Sequence, residues 1–391
     1  MWWRLVVARR RILGTTATVL VAHLGSELYG SDRVLLESVI GLVRGGNRVV
    51  VALPSPGPLG DAVTASGAGV AICSTPVVRR STLRPLGILR FLSDTVRGVV
   101  KGTLLIRRIR PDVLYVNTVT IPLWIFLARL HGIPVLVHVH EAEDSLPRFA
   151  LRILNFPLLF ATRVVTNSHH SVGVLASAYH RLSRSAVIYN GIPGPDRVIA
   201  ARPTLSAGVR ILYIGRLSPR KGVDCVLNAV AELNRQGVES TLVLVGAVFP
   251  GYEWYEQQLR EQVVALKLEE QVTFEGFRSS IWTDVAFADA VIVPSRSESF
   301  GNIAIEAILG GRPVITSNAP GLAEATAGYD SAQSFPIDDE ITLAKSIISL
   351  VNDWPRIRAA SETDIARARD RHSPAGYHRA VFELVTSVAA R

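Results

Sequence analysis

The chain has 391 residues, 48% of them hydrophobic and 19% charged, a composition that excludes disorder and a length that favours two globular domains. Its formal net charge of +9 is unevenly placed: residues 1–195 carry 22 Lys/Arg against 9 Asp/Glu, and the remainder 20 against 24. The basic half suits an anionic neighbour, but nucleic acid is not indicated, because no basic motif interleaved with aromatics is visible.

The chain begins Met1-Trp2-Trp3-Arg4 and runs through Arg9-Arg10-Arg11. With no long apolar core and no clear cleavage site, this stretch reads as a leader or a small interfacial anchor and not as a signal peptide. Short β-rich runs then alternate with longer amphipathic ones. Thr18–His23, Arg48–Leu53, Gly69–Cys73, Asp112–Asn117, Pro134–His140 and Arg163–Asn167 are predicted strands, and Ser31–Arg44 is a predicted helix with a Ser-Asp cap. The most apolar stretch, Ile121 to Ile133, is cut by Arg129 and His131 and is too short to span a bilayer. Asn190-Gly191-Ile192-Pro193-Gly194-Pro195 has linker character. The pattern then restarts, with predicted strands Val209–Ile214, Ser240–Val245, Gln271–Phe274, Ala290–Val293 and Pro313–Thr316, and helices Lys221–Gln236, Tyr255–Leu266 and Asn302–Leu309. Such alternation implies parallel sheets with helices on both faces. The expected division is a first domain over 1–193 and a second over 197–373. An amphipathic helix, Ala375–Ala390, is expected to bring the chain end (375–391) back onto the first domain. Cys73 and Cys225 are the only cysteines; they fall in apolar stretches of different halves and read as reduced, buried thiols, with a disulfide as the alternative.

Ligands of such sheets sit at the carboxyl ends of the strands, and the densest chemistry lies there. Gly215-Arg216-Leu217-Ser218-Pro219-Arg220-Lys221-Gly222 follows a strand. Arg216 offers a planar fork and Lys221 a mobile point charge, two cations suited to a diphosphate. After the strand Ala290–Val293 comes Pro294-Ser295-Arg296-Ser297-Glu298-Ser299-Phe300-Gly301-Asn302, with Glu306 eight residues beyond Glu298. A helix opening at Asn302 presents free N–H groups to phosphate. Glu306 lies among Ile303, Ala304, Ile305, Ala307 and Ile308, so its carboxylate is buried and needs a partner. Cations for a diphosphate and carboxylates for sugar hydroxyls together suit a sugar nucleotide. Asp338-Asp339-Glu340 reads as a helix cap, His169-His170 as a surface helix start, and no Cys/His spacing suggests a metal.

These motifs resemble the retaining glycosyltransferases of the GT-B fold, family 4, over nearly the whole chain. The Gly-Arg-Leu-x-x-x-Lys-Gly turn, the Pro-Ser-x-x-Glu-Ser-Phe-Gly block and Glu-x7-Glu carry the likeness. It implies two Rossmann-like domains facing across a cleft. Arg216 and Lys221 would bind the donor diphosphate, Glu298 the donor sugar and Glu306 the ribose. Ser299, Phe300, Gly301 and Asn302 would line the donor, the last three through backbone N–H groups. Gly276-Phe277-Arg278 is similar to the base-contacting loop, and Gly246, with Gly215, to the glycine turns of the family. In the first half, Gly30 stands where the family often has a glycine pair. His140 or His138, which share one side of a strand, resembles the histidine opposite the donor sugar. His140, Glu298, Arg216 and Lys221 are therefore the expected catalytic set, with fixed cations in place of a metal and no cofactor beyond the co-substrate.

The expected activity is transfer of a sugar from a nucleotide-sugar to a hydroxyl of a lipid-linked glycan, glycolipid or envelope polysaccharide precursor. The alternatives are a nucleotide-sugar 2-epimerase and a non-catalytic bilobed binder. Between Arg79 and Arg110 nine basic residues and one acid, Asp94, interleave with apolar ones. That pattern suits an anionic membrane surface; an ordinary core helix with a solvated basic face is the alternative. The expected location is cytoplasmic, with peripheral attachment to the cytoplasmic face of the membrane.

Overall fold

The computed structural model describes residues 16–78, 85–249 and 251–390, with backbone alone for 85–90. The leader, Arg79, Arg80 and Arg84, and the side chains of Leu86, Ile88, Leu89 and Arg90 lie outside the described residues. The first sheet comprises β1 (Thr18–Ala22), β2 (Arg48–Leu53), β3 (Gly69–Ile72), β4 (Val113–Val116), β5 (Val135–Val139), β6 (Arg163–Thr166) and β7 (Ala186–Val187), in the order β3-β2-β1-β4-β5-β6-β7. The second comprises β8 (Val209–Ile214), β9 (Ser240–Val245), β10 (Val272–Gly276), β11 (Ala290–Val293), β12 (Val314–Ser317) and β13 (Ala332–Phe335), in the order β10-β9-β8-β11-β12-β13. Both sheets are parallel, as expected of strands rich in Val, Ile and Leu and covered on both faces. Val19, Leu20, Val21 and Ala22 are fully buried, as are Val135, Leu136 and Val137.

In the first sheet the winding reverses between β1 and β4, and in the second between β8 and β11. The loops leaving those four strands open the crevice in which such folds hold ligands. Several strands are shorter than the apolar pattern predicts. His23, Asn117, His140 and Asn167 each lie one residue past the end of β1, β4, β5 and β6, and their side chains form hydrogen bonds within the crevice. The two short strands β7 and β13 escape the pattern; Gln333 and Ser334 interrupt the apolar signal of the latter. The first long helix is Gly30–Arg44 and starts one residue earlier than predicted. Its cap differs too: Asp32 reaches back, Oδ2 accepting from the Tyr29 N–H at 2.9 Å.

The chain ends in the helix Pro374–Ala389, whose Tyr377, Val381, Val385 and Val388 join Val34, Leu35, Val39 and Leu42 in the core of the first domain. The return of the C-terminal helix is thus an ordinary consequence of its i, i+4 apolar stripe. Cys73 and Cys225 are buried free thiols. Among the described residues no helix is long and apolar enough to cross a membrane.

Candidate active site

The second-domain face is built from two turns pressed together. After β8 the chain passes Gly215 and makes a single tight turn, Pro219–Lys221, closed by Gly222 at φ +66°. A Cβ at Gly222 would lie 2.2 Å from the Pro294 carbonyl oxygen, so only glycine lets this turn meet the segment after β11. The result is a contact between Lys221 Nζ and Glu298 Oε2, with Ser295 Oγ donating to the same oxygen at 3.3 Å. Burial pushes the Glu298 carboxyl up, but the charges of Lys221 and Arg220 outweigh it and hold the carboxyl below its usual range. Burial lowers the Lys221 ammonium, and Glu298 offsets part of that. Arg296 ties the two turns together, donating to Asp224 at 2.6 Å and to Asp338 at 2.9 Å.

Arg216 has a different setting. It makes no carboxylate ion pair among the described residues; its Cζ lies 4.0 Å from the ring centroid of Phe249 and 5.6 Å from that of Tyr29. Its charge is held by aromatic faces and left unneutralised by any contacting carboxylate. Gly215 and Gly246 abut, the Cβ position of Gly246 lying 1.8 Å from Gly215 O.

Gly301, at φ +104°, starts the helix Asn302–Leu309, and a Cβ there would lie 2.3 Å from Leu322 Cδ2. The first N–H groups of that helix have no acceptor one turn back. The Phe300 ring is buried and stacks on Tyr189 at 5.6 Å, so its side chain is structural. Asn302 Oδ1 accepts from Asn190 Nδ2 at 2.8 Å. Glu306 is 8% exposed, and burial raises its carboxyl above the usual range. The partner its burial demands comes from the first domain: Arg33 Nη1 lies 3.7 Å from Glu306 Oε1.

The first domain closes on this block. Arg33 Nη2 donates to Ser279 O at 2.6 Å, Ser168 Oγ to Ser299 O at 2.7 Å, and the His169 and His170 amides to the Glu324 carboxylate at 2.7 and 2.8 Å. His169 and His170 do begin a helix, as expected, but that start is an interdomain contact. Gly30 faces the Asn302 amide, 3.7 Å from its Cβ position. Tyr29 meets Phe249 and Phe277 edge-on, at 5.2 and 5.5 Å, and Phe277 is 51% exposed. The geometry separates the two strand-end histidines. Their rings lie 4.0 Å apart, on one side of β5. His138 is fully buried and pushed down to about 3 by burial. His140 is partly exposed, also lowered by burial, and bonds through Nε2 to Asn117 Oδ1 at 3.0 Å.

The structure therefore brings Gly30, Gly215, Arg216, Lys221, Glu298, Ser299, Gly301, Asn302 and Glu306 to the two facing sides of the crevice. Gly246 and Phe277 stand at its margin, and His140 at the end of β5. Sequence reading missed Arg33, Phe249 and the pairing role of Tyr29. It also missed His23 and Asn117, although a visible signal existed: a polar residue follows each of four apolar strand runs. Asp339 caps its helix by accepting from Thr342 N at 2.9 Å, as expected. Among the described residues no group of three or more His, Cys, Asp or Glu is placed to hold a metal.

With this geometry in view, comparison with known proteins assigns the chain. The Glycosyltransferase Family 4 model matches residues 29–193 and the Glycosyl transferases group 1 model matches residues 205–367. The chain belongs to the glycosyltransferases of that family, and its two Rossmann-like domains are the GT-B architecture. It is 28% identical over 276 residues to the glycogen synthase of Mycobacterium tuberculosis, a match covering 67% of this chain and 64% of that protein. It is 28% identical over 250 residues to the D-inositol 3-phosphate glycosyltransferase of Segniliparus rotundus, covering 61% and 56%. The matches thus span under two thirds of the length of these relatives. The crystal structure of Anabaena Alr3699/HepE in complex with UDP and glucose has the same fold, with a TM-score of 0.80, 22% identity, and coverage of 95% of this chain and 100% of that one.

Proposed function

We propose that the protein is a retaining glycosyltransferase that moves a sugar from a nucleotide-sugar donor to an acceptor hydroxyl without a metal ion. The observation that carries this reading is Arg216, a half-buried cation with no carboxylate contact among the described residues, set beside the Lys221–Glu298 pair and the opening of the helix Asn302–Leu309. Breaking the anomeric bond places negative charge on the leaving diphosphate. Arg216, Lys221 and the helix amides stabilise it as it develops, the task a metal performs elsewhere. Glu306 would take the ribose hydroxyls, with Arg33 beside it. His140 would face the transferred sugar, while acceptor and sugar meet on the first-domain side. The complex of Anabaena Alr3699/HepE with UDP-glucose and the glycosyltransferase names of the relatives agree with a nucleotide-sugar donor.

The test is donor turnover against a panel of nucleotide-sugars, with acceptor candidates and with excess chelator, followed by anomeric analysis of the product. Transfer with retention that survives chelation is expected. Strict dependence on an added divalent ion, or an inverted product, would overturn the corresponding part of the reading. Donor isomerised without transfer would indicate the epimerase instead.

A membrane-borne acceptor is supported by the helix Pro85–Ile109. Its inner face is lean: Cβ atoms on Gly98 and Gly102 would lie 2.8 Å from Leu123 Cδ2 and 2.6 Å from Leu127 Cδ1. Its outer face carries Leu92, Val96, Val100 and Leu104, all more than half exposed at one-turn spacing, beside exposed Arg97, Lys101, Arg107 and Arg108. A merely solvated basic face would not carry that apolar ridge. Phe149, Ile153 and Phe156, also exposed, accompany Arg148 and Arg152 on and just after the helix Arg148–Asn155 of the same domain. Apolar insertion with basic residues around it suits an anionic bilayer, at about 1 kcal/mol per basic residue near the surface. Sedimentation with anionic and neutral vesicles, at low and high salt, tests this. Salt-sensitive binding to anionic vesicles is expected, and equal binding to both would remove the electrostatic claim.

A further inference from the structure

Three polar side chains just past the carboxyl ends of β1, β4 and β5, with Asp32 from the first turn of the helix Gly30–Arg44, form one hydrogen-bonded row. Asp32 Oδ1 lies 2.7 Å from His23 Nε2, His23 Nδ1 lies 3.3 Å from Asn117 Nδ2, and Asn117 Oδ1 lies 3.0 Å from His140 Nε2. We propose that Asp32, His23 and Asn117 are positioning residues that hold His140 with its hydrogen on Nε2 and so leave Nδ1 as an acceptor for a hydroxyl of the transferred sugar. This rests on the donor-side reading given above.

The row has one direction because it starts at a carboxylate. An ionised carboxylate only accepts, so His23 must carry hydrogen on Nε2 and present a lone pair at Nδ1. That lone pair takes a hydrogen from the Asn117 amide nitrogen, which turns the Asn117 carbonyl toward His140. A carbonyl accepts, so His140 carries hydrogen on Nε2. Its Nδ1 keeps its lone pair and has no hydrogen-bond partner among the described residues. The other face of the ring is fixed too. His140 packs against His138, the ring centroids 4.0 Å apart and the planes tilted by 34°, and His138 Nδ1 is held by the Tyr115 hydroxyl at 2.7 Å. The Tyr115 hydroxyl in turn meets Ser38 Oγ at 3.3 Å, which bonds Tyr377 of the returning C-terminal helix at 2.6 Å. Neither ring can turn without breaking a buried contact.

Asp32→Asn should reverse the whole row. Tyr29 N–H donates to Asp32 Oδ2 at 2.9 Å, and in the variant that N–H still needs an acceptor. The substituted amide therefore turns its carbonyl toward Tyr29 and its NH2 toward His23. His23 then accepts at Nε2 and donates from Nδ1. Asn117 turns over, and His140 accepts at Nε2 and carries its hydrogen on Nδ1. Asn117→Asp should do the opposite: a carboxylate between the two imidazoles only accepts, so His140 keeps hydrogen on Nε2.

The experiment is long-range proton–nitrogen correlation of the histidine rings in the full chain, assigned with a His140→Gln control, alongside donor turnover and nucleotide affinity. Expected are hydrogen on His140 Nε2 in the wild type and Asn117→Asp, and on Nδ1 in Asp32→Asn. Asp32→Asn should lose roughly ten-fold in kcat, the value of one productive hydrogen bond, with nucleotide Kd unchanged. Wild-type hydrogen on Nδ1, an unreversed ring in folded Asp32→Asn, or a reversed ring with unchanged kcat each overturns the proposal. Should Asp32→Asn not fold, hydrogen on His140 Nδ1 in the wild type or Asn117→Asp still overturns it. A protein that turns over no nucleotide-sugar removes the parent reading, whereas the tautomer is decided without any turnover.

Discussion

The two faces of the crevice solve opposite electrostatic problems. The second-domain face is charged: Lys221 meets Glu298, Arg296 meets Asp224 and Asp338, and Arg216 is held between aromatic rings. The first-domain face beneath it is built largely of neutral groups, with two imidazoles whose protonation burial suppresses and a row of hydrogen bonds that ends at a single carboxylate. A leaving diphosphate requires fixed charge, and buried charge persists only when paired or cradled. A sugar requires directional hydrogen bonds from groups that stay neutral. The difference shows that charge is supplied by tight local turns, whereas direction is supplied by the register of a sheet.

Lys221→Ala makes the largest break in this comparison. It removes a cation from the proposed leaving-group site and leaves the largely buried Glu298 carboxylate without its ammonium partner. Turnover should fall about 10²–10³-fold, and stability by about 3 kcal/mol, the low end for a broken buried pair. Adding Glu298→Ala should recover much of the stability and none of the turnover. Kinetics and denaturant unfolding of both variants check this. Wild-type turnover in Lys221→Ala, or a double variant less stable than the single, would contradict the charged-face argument.

His140→Ala should act more mildly. Transfer should drop roughly ten-fold, while nucleotide affinity by calorimetry stays near wild type, because base, ribose and diphosphate are proposed to bind in the other domain. A larger kcat effect from His138→Ala, in a variant of equal stability, would mean that the buried ring is the functional one.

The neutral face should also be the acid-sensitive one. The folded pKa of His138 is depressed to about 3, so its stabilising contribution is present above the unfolded value of about 6.5 and is lost as pH falls toward 3. Glu298 is depressed as well, but its contribution is lost only below the ordinary carboxylate range. Replacing His138 with Gln should therefore flatten the stability profile between pH 6.5 and 4 and leave the region below 4 steep. An unchanged slope in the upper window would show that His138 takes up its proton without unfolding cost.

How much of this was legible in the sequence follows the same division. Arg216, Lys221, Glu298 and Glu306 stand in two continuous stretches whose backbone turns, at Gly222 and Gly301, are part of the site, so residue identity and spacing reveal them together. The alternation of apolar runs was enough for both parallel sheets. His23, Asn117 and His140 come from strands far apart in sequence, and only the order β1-β4-β5 makes them neighbours. Each was visible as a polar residue ending an apolar run, but its partner was not. Arg33 and Tyr29 were hidden for another reason: their partners, Glu306 and Phe249, belong to the other domain, and no local pattern encodes a contact across a cleft.

Glu306 offers the smallest and most discriminating effect, since it is a charged-face carboxylate that burial leaves poorly compensated. Its folded pKa is raised, with desolvation as the larger cause and Arg33 opposing it. A raised pKa means that its contribution to folding is most favourable below the unfolded value of about 4.3 and is lost as pH rises through the folded value. Ionising this carboxylate in the folded protein is thus a cost to stability, which the proposed ribose contact would account for. Glu306→Gln should raise the melting midpoint of the unliganded protein at pH 7, and the gain should vanish below about pH 4, where the wild-type group is neutral as well. The same variant should show a smaller midpoint increase with nucleoside diphosphate, since a ligand's shift grows with its affinity for the native state. A midpoint that falls at pH 7 would show that the Arg33 pairing outweighs desolvation, and would make Glu306 an interdomain strut in place of a ribose ligand. An undiminished nucleotide shift would remove the ribose role while leaving the Lys221–Glu298 side of the comparison standing.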